Sequence, residues 1–265
     1  MLVHGLGGSH ANWLEAGPGL AARARVLAVD LAGFGRTPLA GRSARIRGNQ
    51  RLLGQFVERV VGGPAVLVGN SMGGMITLLE AADHPERVAG LVLVDPAVPR
   101  PRGTKIDREA ALAFAYAIPG LGERLMARQR ARAGADAEAA VDADAQAQAD
   151  AQAQADVSDL RIVFSWRDAA FLQAIRSLVT TLVWPRRYLA LIRQVEVPTL
   201  VVHGAADRLV PLAAVQALAR SRPEWTLRVL PGVGHVPQLE APRRFVEVVS
   251  AWLDAQDAHL SRQAG

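Results

Sequence analysis

A mostly parallel α/β sheet with helices on both faces and one helical insertion is the fold this sequence predicts. Three observations carry that expectation. Short apolar runs alternate with longer helical patterns, the runs are nearly continuous instead of alternating, and one long stretch breaks the rhythm without offering a convincing strand. A strand that is apolar at every position is covered on both faces, and strand alternating with helix is the pattern of parallel α/β sheets.

The chain opens MLVHGLGG, a brief apolar run entering a glycine-rich turn. RVLAVD at 25–30 reads as the next strand, RLLGQFVERV at 51–60 as a helix, and PAVLVG at 64–69 as a strand that runs into GNSMGG. MITLLEAADH at 75–84 is helical and GLVLVD at 90–95 is again a strand. From Asp95 to Pro198 no strand is evident. That stretch holds AALAFAYAI at 110–118, which suits a buried or cap helix, and a low-complexity Asp/Ala/Gln insert at 134–156 in which DAQAQA occurs twice in tandem. Alanine alternating with Asp and Gln offers no large apolar face to strand or helix, so this tract is expected to be a solvated surface insert. The alternation resumes with the strand PTLVVHG at 198–204, the helix PLAAVQALAR at 211–220, the strand TLRVLPG at 226–232 and the helix PRRFVEVVSAWLDA at 242–255. The expected organisation is a core formed by 1–96 and 197–265, with 97–196 inserted between its halves.

Composition narrows the function classes. Half of the 265 residues are hydrophobic, which is the signature of a globular chain able to bury a sizeable core. The net charge of +5 comes almost wholly from arginine, Lys105 being the single lysine, and the arginines are scattered without a basic stripe or a reading motif. No nucleic-acid partner is therefore expected. The absence of cysteine removes disulfides, thiolate metal sites and cysteine nucleophiles together. No apolar run approaches the length of a bilayer span and no charged-then-apolar leader opens the chain, so a soluble cytoplasmic protein is expected. GLGGSH lacks the third glycine of a dinucleotide turn, and nothing matches a P-loop.

The chemistry concentrates in AVLVGNSMGGMITLLEAA. An apolar strand enters Gly69-Asn70-Ser71-Met72-Gly73 and a helix follows at once, the context a G-x-S-x-G motif requires. A serine presented on so tight a turn sits at strained dihedrals, and side chains two residues either side would crowd it. The turn also aims the amides of a helix N-terminus at the place where negative charge would develop. A serine nucleophile needs a base, and the base an orienting carboxylate. Candidates stand in loops after two later strands: Asp207 in AADRLVP after LVVHG, and His235 in PGVGHVPQLEAP after TLRVL.

The order Ser71, Asp207, His235, together with HGLGG at 4–8, DLAGFGRT at 30–37, GNSMGG, HGAADRLVP and GHVPQLEAP, resembles the α/β-hydrolase fold superfamily over nearly the whole chain outside the insertion. The resemblance implies Ser71 as nucleophile, His235 as general base and acid, Asp207 as its orienter, and the backbone amides of Leu6 and Met72 as an oxyanion hole. It implies that His4 shapes its loop, that 97–196 is a helical cap, and that no metal or organic cofactor is needed. It also implies two strands and a hairpin ahead of the strand ending in HG. Here that strand is reduced to Leu2, Val3 and little more, so RVLAVD is expected at an exposed apolar sheet edge, with Leu6 on a weakly anchored loop.

The resulting expectation is a serine hydrolase that cleaves a small hydrophobic carboxylic ester through an acyl-enzyme. Two alternatives stand beside it. Asn70 next to the nucleophile resembles the elbow of enzymes that hydrolyse a carbon–carbon bond of vinylogous diketones, although Val236 follows the histidine where those enzymes carry tryptophan. The other alternative is an inactive member of the fold that binds a small molecule. Asn70, Trp166 and Trp184 are the candidate substrate contacts, with Trp13 and Phe164 as further aromatics that serve either pocket or core. His203 reads as a structural histidine, and Asp95 as a fallback acid for His235.

Overall fold

The computed structural model describes residues 1–101, 103–104, 108–131 and 168–263. The Asp/Ala/Gln insert at 134–156, Trp166 and Phe164 lie outside the described residues. Six parallel strands form one sheet in the order β2-β1-β3-β4-β5-β6: β1 (Leu2–Val3), β2 (Ala28–Val29), β3 (Ala65–Asn70), β4 (Val88–Val94), β5 (Thr199–Gly204) and β6 (Thr226–Leu230). The helices are α1 (Gly17–Ala21), α2 (Ile46–Phe56), α3 (Met72–Asp83), α4 (Arg108–Ala117), α5 (Asp168–Val183), α6 (Arg186–Gln194), α7 (Leu212–Ser221), α8 (Pro237–Glu240) and α9 (Pro242–Gln263), with further helical backbone over 121–131. No helix among them is long and apolar enough to cross a membrane.

The continuous apolar runs have the consequence expected of them. Successive strand residues point to opposite faces, so each run feeds two cores. Leu67, Leu91, Leu93 and Val201 join α2, α3 and α7 on one face, while Val68, Val92, Val94, Leu200 and Val202 meet Trp13, Phe245, Val249 and Trp252 on the other. Trp13 is thus core, tilted against Phe245 with ring centroids 6.2 Å apart.

The N-terminal side departs from expectation. RVLAVD pairs only over Ala28–Val29, because its neighbour β1 offers just two positions, Leu2 opposite Ala28 and Val3 opposite Val29. It is the edge strand, yet Val29 is buried and Val26 and Leu27 are half-covered, so the edge exposes little apolar surface. β1 itself is bonded on both sides: Leu2 N–H donates to Leu27 O at 2.8 Å and Val68 N–H to Met1 O at 2.8 Å.

The loop after β1 is held by His4. Its Nδ1–H donates to Gly5 O at 2.7 Å and its Nε2 accepts from Leu31 N–H at 3.0 Å, which fixes one neutral tautomer in a fully buried ring. Burial pulls its pKa from 6.5 down to about 4, partly opposed by the Gly5 carbonyl. The unfolded chain takes up a proton near pH 6.5 that the folded chain refuses until about pH 4. Stability from this site is therefore present above pH 6.5 and lost as pH falls toward 4, by about 3 kcal/mol in full. Urea midpoints measured across that window should fall with acidification, and His4→Gln should flatten the fall.

Between β4 and β5 the described residues hold helices and no strand. α5 is tied to the chain after β2: Ala44 N–H donates to Gln173 Oε1 at 3.3 Å and Ile46 N–H to Ser177 Oγ at 3.2 Å. α6 returns to the sheet, burying Tyr188 and Ile192 against α3, and the Tyr188 hydroxyl donates to Ala97 O at 3.1 Å.

Candidate active site

β3 ends at Asn70, and Ser71 stands alone between strand and helix at φ 52°, ψ −112°. Three bonds hold its backbone there. Its N–H donates to Val94 O at 2.9 Å, and its carbonyl accepts from Met75 N–H and Ala97 N–H, each at 3.1 Å. The flanking glycines are required by space. A Cβ at Gly69 would strike the Gly73 carbonyl, and one at Gly73 would strike the Val3 and His4 carbonyl oxygens. These obstacles are backbone and cannot swing aside, so Gly73→Ala should destabilise the fold by about 1–3 kcal/mol. Thermal unfolding of that variant checks this, with Gly63→Ala giving a smaller loss because open space surrounds that position and its backbone is not left-handed.

The other two loops converge on the same end of the sheet. After β5, Asp207 closes a turn in which its Oδ1 accepts from Leu209 N–H at 2.7 Å and Val210 N–H at 3.0 Å. Its other oxygen, Oδ2, lies 2.7 Å from His235 Nδ1. Burial alone would raise the Asp207 carboxyl, but the hydrogen bond and charge of His235 and the Val210 amide hold it below the ordinary carboxylate range. With Oδ1 saturated by donors and Oδ2 on the ring, His235 carries its proton on Nδ1, which leaves Nε2 to accept.

The histidine loop has supports that sequence reasoning missed. Glu240, at the end of α8, accepts from Gly234 N–H at 2.6 Å and Val236 N–H at 3.0 Å. Asn70 Nδ2 donates to His235 O at 3.1 Å and to Val94 O at 3.2 Å, so its amide ties the elbow to the histidine loop. Spacing within GHVPQLE is the one signal that could have suggested Glu240; nothing local to GNS announces the Asn70 contact.

Ser71, His235, Asn70 and Leu6 border one cavity of about 670 Å³. Its far wall comes from α4 and α5, chiefly Ala113, Phe171, Ile175, Leu178 and Leu182. Met72 opens α3 directly behind the serine and is fully buried. Trp184 does not join this wall. It lies just past the end of α5, 72% exposed, and the stripe that faces the cavity stops at Leu182.

Behind the triad candidates, Asp95 and His203 complete a buried cluster, one ligating atom from each of Asp95, His203 and Asp207 lying within 4.8 Å of the others. His203 Nδ1 approaches Asp95 Oδ1 at 2.9 Å but out of hydrogen-bond alignment. Burial lowers the pKa of His203 and keeps it neutral. Burial, reinforced by the charge of Asp207, pushes the Asp95 carboxyl up to about 9.

The model of the Alpha/beta hydrolase family matches residues 1–248. The chain is 31% identical to the 2-hydroxymuconate semialdehyde hydrolase of Pseudomonas sp. strain CF600, over 97% of this chain and 87% of that protein. It is 28% identical to the pimeloyl-[acyl-carrier protein] methyl ester esterase of Aeromonas hydrophila, covering 94% and 92%. It is 30% identical to the dihydrolipoyllysine-residue acetyltransferase component of the acetoin cleaving system of Pseudomonas putida, where the match covers 96% of this chain but spans only 62% of the longer relative. Among solved structures, a thermophilic esterase from Thermogutta terrifontis superposes with a TM-score of 0.67 at 24% identity, covering 96% of this chain and 88% of that one. At that identity the likeness speaks for the fold alone.

Proposed function

We propose, from the premise that this chain belongs to the alpha/beta hydrolase family, that it cleaves small hydrophobic carboxylic esters through an acyl-enzyme on Ser71. The single observation that carries the reading is the Asp207 Oδ2 to His235 Nδ1 contact of 2.7 Å, made by a histidine that shares its cavity with a serine at φ 52°. Ser71 Oγ attacks the substrate carbonyl while His235 Nε2 takes its proton. The Leu6 and Met72 amides stabilise the oxyanion; Met72, as first residue of its helix, has no intrahelical acceptor for its N–H. Collapse of the tetrahedral intermediate expels an alcohol that receives the proton from His235. Water, activated by the same ring, then releases the acid and returns the serine.

The apolar wall from α4 and α5, acting as a cap over the cavity, favours an uncharged aliphatic or aromatic acyl group. Asn70 and Glu240 act by positioning the histidine loop. A second reading, hydrolysis of a carbon–carbon bond in a vinylogous diketone, is favoured by the likeness to the 2-hydroxymuconate semialdehyde hydrolase. Val236 beside His235 weighs against it. Intact mass after treatment with a fluorophosphonate probe tests the reading: one adduct in the native chain and none in Ser71→Ala is expected, and an unlabelled native chain overturns it. A panel of p-nitrophenyl esters beside a ring-fission diketone then separates the two reactions.

A further inference from the structure

Asp95 has no part in the chemistry just described, yet its setting is not that of an ordinary structural aspartate. It follows directly on β4 at φ 42°, a left-handed conformation shared among non-glycine residues only with Ala40 and Ser71 of those described. It is fully buried. Its N–H donates to Val202 O at 2.9 Å and its Oδ1 accepts from Gly204 N–H at 2.9 Å. Its Oδ2 is buried and finds no donor.

The ionisable groups that face it are Asp207 and His235 from the loops after β5 and β6, and His203 from β5. Two carboxylates this close in a buried site cannot both hold a charge. Asp207 has the better claim to it, since two backbone amides and the imidazole of His235 surround its oxygens. The shared proton therefore belongs to Asp95. Oδ1 already receives the Gly204 N–H, so the proton goes to Oδ2, the oxygen without a donor of its own.

We propose that Asp95 is a positioning residue of the hydrolase site, a neutral carboxylic acid whose Oδ2–H donates to Asp207 and so fixes that carboxylate on His235 Nδ1. This rests on the reading of Ser71, His235 and Asp207 as the reacting triad. A buried acid kept protonated beside an ionised one supplies a short, charge-assisted hydrogen bond without adding charge. Asparagine reproduces that arrangement: its Nδ2–H donates to Asp207 while its Oδ1 accepts from Gly204. Alanine removes both bonds.

The test compares the native chain, Asp95→Asn and Asp95→Ala on p-nitrophenyl butyrate, with kcat and KM taken from about pH 6 to about pH 10 and the rate of fluorophosphonate labelling alongside. Asp95→Asn should keep kcat within about threefold, whereas Asp95→Ala should lose roughly tenfold to a hundredfold in kcat at little change in KM. The native chain should also lose activity near pH 9 as Asp95 ionises next to Asp207, and Asp95→Asn, with nothing to titrate, should not. The pH comparison of the native and Asp95→Asn chains decides the matter even where the alanine variant fails to fold. An asparagine variant as crippled as the alanine variant, or one that keeps the alkaline limb, overturns the proposal. A native chain that the probe does not label overturns the triad reading itself; labelling at equal rates in all three chains overturns only the role of Asp95.

Discussion

Ser71→Ala is expected to lower kcat on a p-nitrophenyl ester by about 10⁴–10⁶-fold while leaving Tm and ligand affinity nearly unchanged. The size follows from the elbow's geometry. No other hydroxyl can take the place of one held at φ 52° by backbone bonds to Val94, Met75 and Ala97. The selectivity follows from what the side chain does not do. Ser71 makes no side-chain cap bond to α3, so its hydroxyl contributes nothing to holding the helix, and alanine tolerates the left-handed φ no worse than serine does. Kinetics and thermal unfolding on the same preparation check both halves. Residual kcat above roughly one per cent of native would place the nucleophile elsewhere. A large drop in Tm would mean that the lost activity reports unfolding.

Much of this arrangement is legible in the sequence because it is written in local chemistry. GNSMGG states a turn that only glycines can flank, and the collisions at Gly69 and Gly73 are the physical form of that statement. PAVLVG, GLVLVD and PTLVVHG are legible as strands because each is bounded by Gly or Pro and holds a run of consecutive apolar residues, which two-sided burial demands. What fails to be legible depends on a partner. RVLAVD has the composition of a six-residue strand, but the length of a strand is set by its neighbour, and β1 provides two rungs. Helix α2 begins at Ile46, ahead of the expected 51, because its start is fixed by the distant Ser177 hydroxyl on α5 and not by a capping residue of its own. Trp184 reads as a pocket aromatic from its type, and the end of α5 decides otherwise. Asp95 and His203 show the same limit most clearly: each looks like an ordinary strand-end residue, and only the side-by-side placement of β4 and β5 brings them to Asp207.

That placement also makes Asp207→Asn the most informative single-atom change in the molecule, with an expected loss of about 10⁴-fold in kcat. The substituted amide has two ways to point. Oδ1 of the native carboxylate receives the Leu209 and Val210 N–H groups, and an NH₂ turned that way would face two donors, so the amide oxygen must stay there. The NH₂ then occupies the position of Oδ2, 2.7 Å from His235 Nδ1. It donates to that nitrogen, which must give up its proton and become the acceptor. The ring proton moves to Nε2, the atom that accepts from Ser71 in the proposed reaction, and that proposed base is blocked while the turn, the histidine loop and the cavity stay as they were. Tm should therefore change little, KM should hold, and the loss should fall on kcat and on the rate of fluorophosphonate labelling together. An Asp207→Asn chain within about tenfold of native kcat would mean that another group orients the histidine, because the two amides leave the substituted side chain no orientation in which His235 keeps its proton on Nδ1.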